Sequence, residues 1–514
     1  MKGRLLLNSL SGTTLFFINA VVVLIMSPVL VRELGNHDYG VWDILLSLCG
    51  YMGIFDLGIS PAIMRFIARE SVQQPSANLH RIASSAFLSL LATGLACLAV
   101  MVVFAIAPQR VLNVSTQDTL HLQLLFILFG INLLIQFPGT IFVAYLMGTQ
   151  KHYLVYSVRM VSTISQAFLV YIALTQWSGS GLIWLSCIVL FGTLTEYSVF
   201  CFYVFFCEGI LQIRRGYFSW SMLKELYVFG FNSTLLMAAD RIQRQSSPLI
   251  VSHILGVSQV VFFSIPRRLV DYGKDLGLAL GYPLMPFFSS IESRGDADAM
   301  REEWFVASRW LQLATLALPI GLLGMGERFL GLWMGPDYAI QGRWVIVFLS
   351  LALFIEGLTP NAGRMLVASG KHARPARILL VLSVLSIGVS IVFAKWYRIP
   401  GLAFAVMWAN AVGSGIQWFL VSPLIRVGLW EHVRRTVGPL MAPMALMATA
   451  IWLLAQCLPS HHMAWLCAQG AVSGILYMVA AWFFVANASE KLRVKVWLRE
   501  KVFHASSKKE ISAA

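Results

Sequence analysis

Residues 8–31 read NSLSGTTLFFINAVVVLIMSPVLV, a run without one charged side chain. Wound as an α-helix at 1.5 Å per residue, such a run is about 36 Å long and crosses a hydrocarbon core of about 30 Å. Inside that core the backbone must satisfy its own polar groups, so only helices and closed barrels cross it. A barrel strand would alternate apolar and polar side chains over about ten residues. This run stays apolar throughout, and a helix follows.

The same reading recurs outward along the chain. Apolar runs between charged or Gly/Pro-rich breaks place spans at 8–31, 40–64, 82–107, 119–147, 153–176 and 181–206. The second half places them at 226–252, 257–289, 306–326, 340–363, 376–394, 400–424, 436–458 and 464–487. The 514 residues are 58% hydrophobic and 12% charged, with a mean hydropathy of +0.74. A soluble chain carries about 25% charged residues. The expected class is an all-α polytopic membrane protein of about 14 transmembrane helices. The connections are short, so no soluble domain is expected to hold a separate active site.

Lys and Arg placement tests the map. With the N-terminus in the cytoplasm, 25 basic residues fall in inner segments and only Arg32, Arg110, Arg328, Arg343, Lys395 and Arg398 in outer ones. That is the bias of the positive-inside rule, and a missed span would invert every later loop. Both termini are therefore expected inside. The net charge of +14 is explained by these loops, so no nucleic-acid partner is expected. The seven cysteines form no CxxC pair, and neither disulfides nor a metal site are inferred.

An internal repeat emerges at one offset. Ser27-Pro28 recurs as Ser247-Pro248, Lys151-His152 as Lys371-His372 and Gly181-Leu182 as Gly401-Leu402, all 220 residues apart. Asp56-Leu57-Gly58 recurs as Asp275-Leu276-Gly277 at nearly the same spacing. The organisation expected is a six-helix lobe over 1–215, a second over 216–430, two further transmembrane helices over 431–488 and a basic tail over 489–514. An even number of spans per block relates the two lobes by a pseudo-two-fold axis along the membrane normal, and such carriers hold substrate between lobes. The tail, with seven Lys and Arg among Val496, Trp497, Leu498, Val502 and Phe503, suits membrane lipids of the inner leaflet.

Ionisable groups at membrane depth are costly and mark candidate sites. The seventh and eighth spans are richest, with Arg241, Arg244, Arg267, Arg268 and Lys274 against Asp240, Asp271 and Asp275. Counted on these spans alone the cations are in excess, which suits an anionic headgroup such as a phosphate. The structural alternative is that Asp240–Arg244 and Arg267–Asp271 are i,i+4 pairs. Asp56, Glu196 and Glu356 are candidates for proton or sodium coupling, as is Asp43, and Arg159 for lining the cavity. Asp56 has a second reading as a cap where Gly58 and Pro61 interrupt the helix. No cofactor is expected. No Walker loop, GxSxG or HExxH is present, so the chain reads as a transporter rather than an enzyme.

The stretch Ser27-Pro28-Val29-Leu30-Val31-Arg32-Glu33-Leu34-Gly35, then Tyr39-Gly40-Val41-Trp42, Asp56-Leu57-Gly58-Ile59 and Arg65-Phe66, resembles the opening of Wzx-type polysaccharide-transport flippases. These belong to the multidrug/oligosaccharidyl-lipid/polysaccharide (MOP) exporter superfamily. Gly148-Thr149-Gln150-Lys151-His152 fits the same pattern. The resemblance implies a bacterial inner-membrane protein that moves an undecaprenyl-pyrophosphate-linked oligosaccharide outward for O-antigen, capsule or exopolysaccharide, with a polysaccharide polymerase or export proteins as partners. The alternatives within that superfamily are a multidrug exporter, whose cavity would be acid-dominated, and a lipid II flippase.

Overall fold

A computed structural model describes residues 2–70, 77–112, 119–177, 179–209, 211–371, 373–457, 462–486 and 491. The basic tail therefore lies outside the described residues, Lys491 excepted. In chain order the helices are α1 (Lys2–Met52), α2 (Ile59–Glu70), α3 (Ala77–Ile106), α4 (Pro108–Leu112), α5 (Thr119–Gly148), α6 (His152–Gln176), α7 (Gly181–Phe202), α8 (Trp220–Leu255) and α9 (Val260–Gly281). They continue with α10 (Leu284–Glu292), α11 (Ala297–Met334), α12 (Pro336–Leu358), α13 (Ala362–Ala368), α14 (Ala373–Ile425), α15 (Leu429–His432), α16 (Met441–Cys457) and α17 (Met463–Phe484). Among the described residues there is no strand.

Among the described residues, ten helical stretches are long and apolar enough to cross a membrane. Two of them bend into two legs each, α1 at Gly35 (φ 75°, ψ 170°) and α14 at Arg398 (φ 56°, ψ −138°). α8 and α9 have the length, but their charges keep them out of a count by apolarity. With these two and the two extra legs, the helical segments number fourteen, as the hydropathy reading expects.

Two backbone features follow the spacing of the recurring dipeptides to within a residue. Gly35 and Gly256 both take a positive φ with an extended ψ, a region essentially reserved for glycine, and each separates two helical legs. α3 starts at Ala77 and α11 at Ala297, 220 residues apart. Two of the expected spans are not continuous, however. The span read as 40–64 ends in a 3₁₀ turn at Gly53–Asp56, and Leu57 (φ 48°) and Gly58 (φ 69°) turn the chain before α2 starts. The span read as 257–289 breaks at Tyr282-Pro283 between α9 and α10. In both cases hydropathy continued across the break because the residues flanking it are apolar.

The described chain forms two compact units, whose division falls within α9, α12 and α14. One comprises Met1–Tyr272, Ile340–Ala352 and Gly370–Ile416. Here small residues let helices approach: a Cβ on Gly94 would stand 3.2 Å from the Leu134 Cα, and one on Gly130 would stand 2.7 Å from Leu98. Trp42 meets Phe129 edge to face, with centroids 5.2 Å apart.

The other unit comprises Gly273–Ala339, Leu353–Ser369 and Gln417–Ala514. Its core packs Phe288, Trp304, Met365 and Trp418 from four helices. Tyr477 ties α17 to α11 by donating to the Leu313 carbonyl at 2.9 Å. At the end of α12 the helix stops, and the Leu358 carbonyl accepts from Gln312 Nε2 at 2.5 Å and from His432 Nε2 at 2.9 Å. Trp304 Nε1 donates to the other ring nitrogen of His432 at 3.2 Å, which fixes a neutral imidazole with its proton on Nε2. We expect His432→Ala to destabilise the protein by about 1–3 kcal/mol, because a fully buried indole N–H loses its acceptor. His432→Gln, whose side-chain amide offers an oxygen to accept from Trp304 and an N–H to donate, is expected to recover part of that loss in a thermal melt.

Candidate functional site

The charged side chains of α8 and α9 sit on helices whose interiors would otherwise face lipid or another helix, so each requires a partner. In the first unit, α8 runs beside the second leg of α1. Arg241 Nη1 donates to the Gly50 carbonyl at 3.0 Å, and its guanidinium lies against Gly53, where a Cβ would come within 2.4 Å of it. Gly50 lies near the end of a helical leg, where unpaired carbonyls carry partial negative charge, so Arg241 serves as a cap. Among the described residues no carboxylate lies within ion-pair distance of it. Tyr51 is hydrogen-bonded to Ser246 one turn along the same seam.

Arg244 pairs with Asp240 at 3.1 Å and Arg267 with Asp271 at 3.3 Å, both one helical turn apart. Arg268 turns away from its own helix. Its Nη2 meets Asp43 Oδ1 at 3.0 Å, Ser264 donates to the other oxygen of Asp43, and the guanidinium lies 5.5 Å from the Tyr39 ring. Asp43 and Ser264 are 221 residues apart. The spacing equals that between Gly35 and Gly256, one more than the 220-residue offset of the recurring dipeptides. Gln243 donates to Asn410 Oδ1 at 2.9 Å.

Asp56 accepts from the Ser60 hydroxyl at 2.8 Å and from the Ser60 backbone N–H at 3.5 Å, tying down the first turn of α2. The two roles weighed for it are separable. A cap tolerates asparagine almost as well as aspartate, and alanine costs about 0.5–2 kcal/mol. We expect Asp56→Asn to keep export and Asp56→Ala to lower stability. Loss of export in a well-folded Asp56→Asn variant would instead make the carboxylate a coupling group. Elsewhere in the unit, Arg159 Nε meets Glu196 Oε1 at 3.1 Å between α6 and α7.

In the second unit Lys274 pairs with Glu356 at 3.0 Å. Asp275, the next residue, is half-buried. Arg364, placed in a loop by the sequence reading, donates to the Gly277 carbonyl at 2.8 Å and to that of Pro360. The end of α9 is thus capped by an arginine, as the end of the α1 leg is by Arg241.

Asp43 and Glu356 change the charge balance read from α8 and α9 alone. Counted on α8 and α9 alone the cations exceed the carboxylates, but Arg268 and Lys274 find theirs on α1 and α12. Arg244, Arg267, Arg268 and Lys274 are each held by a carboxylate and Arg241 by a backbone carbonyl. Among the described residues no group of acids, histidines and cysteines is arranged for a metal.

The family model described as "Polysaccharide biosynthesis protein" matches residues 5–292, more than half of the chain. The chain belongs to that family. A relative named "Putative O-antigen transporter", from Shigella flexneri, is 25% identical over 356 residues, covering 68% of this chain and 81% of the relative. A solved lipid II flippase MurJ, in an inward closed conformation, superposes with a TM-score of 0.73 at 13% identity over 93% of this chain and 98% of its own. An inward-facing multidrug resistance MATE transporter of the MOP superfamily gives 0.64 at 14% identity over 80% and 94%. Family and fold are those of membrane transporters, not enzymes.

Proposed function

We propose that the protein carries a polyprenyl-pyrophosphate-linked oligosaccharide from the inner to the outer leaflet of a bacterial inner membrane, by alternating access between two six-helix lobes. The observation that carries this reading is the line of cations on α8 and α9, each fixed by a carboxylate or a helix-end carbonyl. A phosphate can take over a guanidinium from a carboxylate with the same paired geometry, because both anions offer two oxygens to the planar fork. The family match and the O-antigen relative support a glycan cargo. A drug exporter for cations would be better served by acids free of arginine partners, whereas Asp240, Asp271 and Asp43 are held by arginines.

Alternating access supplies a reason for the partners. Ion pairs formed in one state leave no charge stranded at membrane depth while the cargo is absent. Both termini lie in the cytoplasm on this reading, because 25 of the 31 Lys and Arg residues assigned to connections then face inward.

The test is deletion of the gene in the native host, with surface polysaccharide and the lipid-linked repeat-unit pool measured together. Loss of surface glycan with units trapped on the cytoplasmic side is the expected result. Normal surface glycan with new sensitivity to cationic drugs would overturn the reading in favour of a multidrug exporter.

A further inference from the structure

The chain between α7 and α8 joins the two repeats, and its backbone is fastened to α3 by side chains. The Gln212 N–H donates to His80 Nδ1 at 3.2 Å and the Arg214 N–H to Ser84 Oγ at 3.1 Å. At the next residue of α3, Ser85 Oγ accepts from the Ser219 N–H at 2.9 Å and donates to the Ser219 carbonyl at 3.3 Å. His80 also faces the Tyr217 ring, with centroids 5.3 Å apart, and Ser89 is hydrogen-bonded to Tyr227 at 2.6 Å. A connecting segment whose polar backbone groups are taken up in this way, with a 3₁₀ turn at Arg215–Tyr217, holds a set face outward.

That outward face is basic and aromatic. Arg214, Arg215 and Lys224 are exposed, and among the described residues none has a carboxylate within ion-pair distance. Trp220 is 71% exposed and Phe218 42%, their rings 6.5 Å apart. The preceding membrane-crossing stretch ends at Glu208, so the segment begins where the hydrocarbon core ends. Unpaired cations beside exposed aromatic rings at that depth match the headgroup region, where indole rings rest and phosphates attract Lys and Arg.

We propose that residues 211–224 form a contact for anionic phospholipid headgroups, with Arg214, Arg215 and Lys224 taking the phosphates and Phe218 and Trp220 entering the boundary of the acyl chains. The contact sits on the connection between the repeats, so the anionic lipid content of the leaflet acts where one repeat is joined to the next. It does not depend on the identity of the cargo.

The experiment uses the full-length protein in nanodiscs of phosphatidylcholine doped with brominated phosphatidylglycerol or, separately, brominated phosphatidylcholine. Tryptophan quenching is then compared between wild type, Trp220→Phe and the triple variant R214Q/R215Q/K224Q. Each cation near a membrane surface is worth about fivefold in binding. The brominated phosphatidylglycerol is therefore expected to quench wild type at a concentration about tenfold or more below that needed for the triple variant. Trp220→Phe should lose the same component, and raising the salt should weaken it. Unchanged quenching by brominated phosphatidylcholine in the triple variant shows that it remains folded and inserted. Equal preference for phosphatidylglycerol in wild type and in that folded variant would overturn the proposal, as would a preference that survives Trp220→Phe intact.

Discussion

Replacing Asp43 by alanine is expected to abolish export and to cost about 3–5 kcal/mol of stability, the penalty for leaving a buried ion without its partner. The side chains of Asp43 and Arg268 are only 10% and 26% exposed, so solvent screens them little. Losing the carboxylate strands the Arg268 guanidinium and also removes the acceptor of Ser264. Arg268→Ala should destabilise comparably, because it leaves Asp43 charged and buried. The informative variant is the double replacement Asp43→Leu with Arg268→Met. Replacing a buried ion pair by apolar groups is often neutral or stabilising, so the double variant should melt near wild type. Export should still be lost, because the line of cations loses the one that links α9 to α1. Normal export by the well-folded double variant, measured as surface glycan in a complemented deletion strain, would show that the pair is structural only.

Much of this was legible from sequence for plain physical reasons. A bilayer imposes a length and an apolar composition on every span, so α3, α5, α6 and α7 fall where hydropathy placed them, within a few residues. Gly35 and Gly256 were readable as boundaries because a flexible residue stood between apolar runs. The interruption at Leu57-Gly58 was marked only by a Gly58-x-x-Pro61 spacing, since what holds it is the bond from Ser60 to Asp56 and the seat of Arg241 on Gly50, neither of which has a period. The charged residues of α8 and α9 announced themselves by their cost. Their partners did not, because Asp43 and Glu356 come from helices far away in the chain, and a count along two spans overstates the positive excess. One signal was available. The 220-residue offset of the recurring dipeptides, applied to Asp43, lands on Phe263, one residue short of the Ser264 that meets it. Arg364 had no such signal. It was read as a loop cation, and only the proximity of α13 to the end of α9 gives it a carbonyl to cap.

The second large effect concerns a position with no charge at all. Gly230 lies inside α8, where alanine would be the better helix former by about 1 kcal/mol. Local propensity alone therefore predicts that Gly230→Ala stabilises. The structure predicts the opposite sign: a Cβ there would come within 2.5 Å of the Gly58 carbonyl oxygen, and one on Gly58 within 2.4 Å of the Gly230 carbonyl oxygen. Both obstacles are backbone, so no rotamer change relieves them. Gly58 also holds φ at +69°, so its own replacement adds conformational strain to the clash. Gly40 repeats the situation at the far end of the same helical leg, where a Cβ would stand 2.3 Å from the Val257 carbonyl oxygen. We expect Gly230→Ala to cost about 1–3 kcal/mol, in the range of overpacked cores, and Gly230→Val to abolish accumulation of folded protein. Gly388→Ala and Gly415→Ala, on α14 with nothing within 4 Å of the added carbon, are the controls and should be neutral or slightly stabilising. The comparison is a thermal melt of the three purified alanine variants beside wild type, with the folded yield of Gly230→Val and export measured in parallel. If Gly230→Ala melts at or above the controls, α8 does not approach the Leu57-Gly58 break as closely as described. If it melts lower while the controls hold, the absence of a side chain at Gly230 is what lets α8 and the broken helix meet.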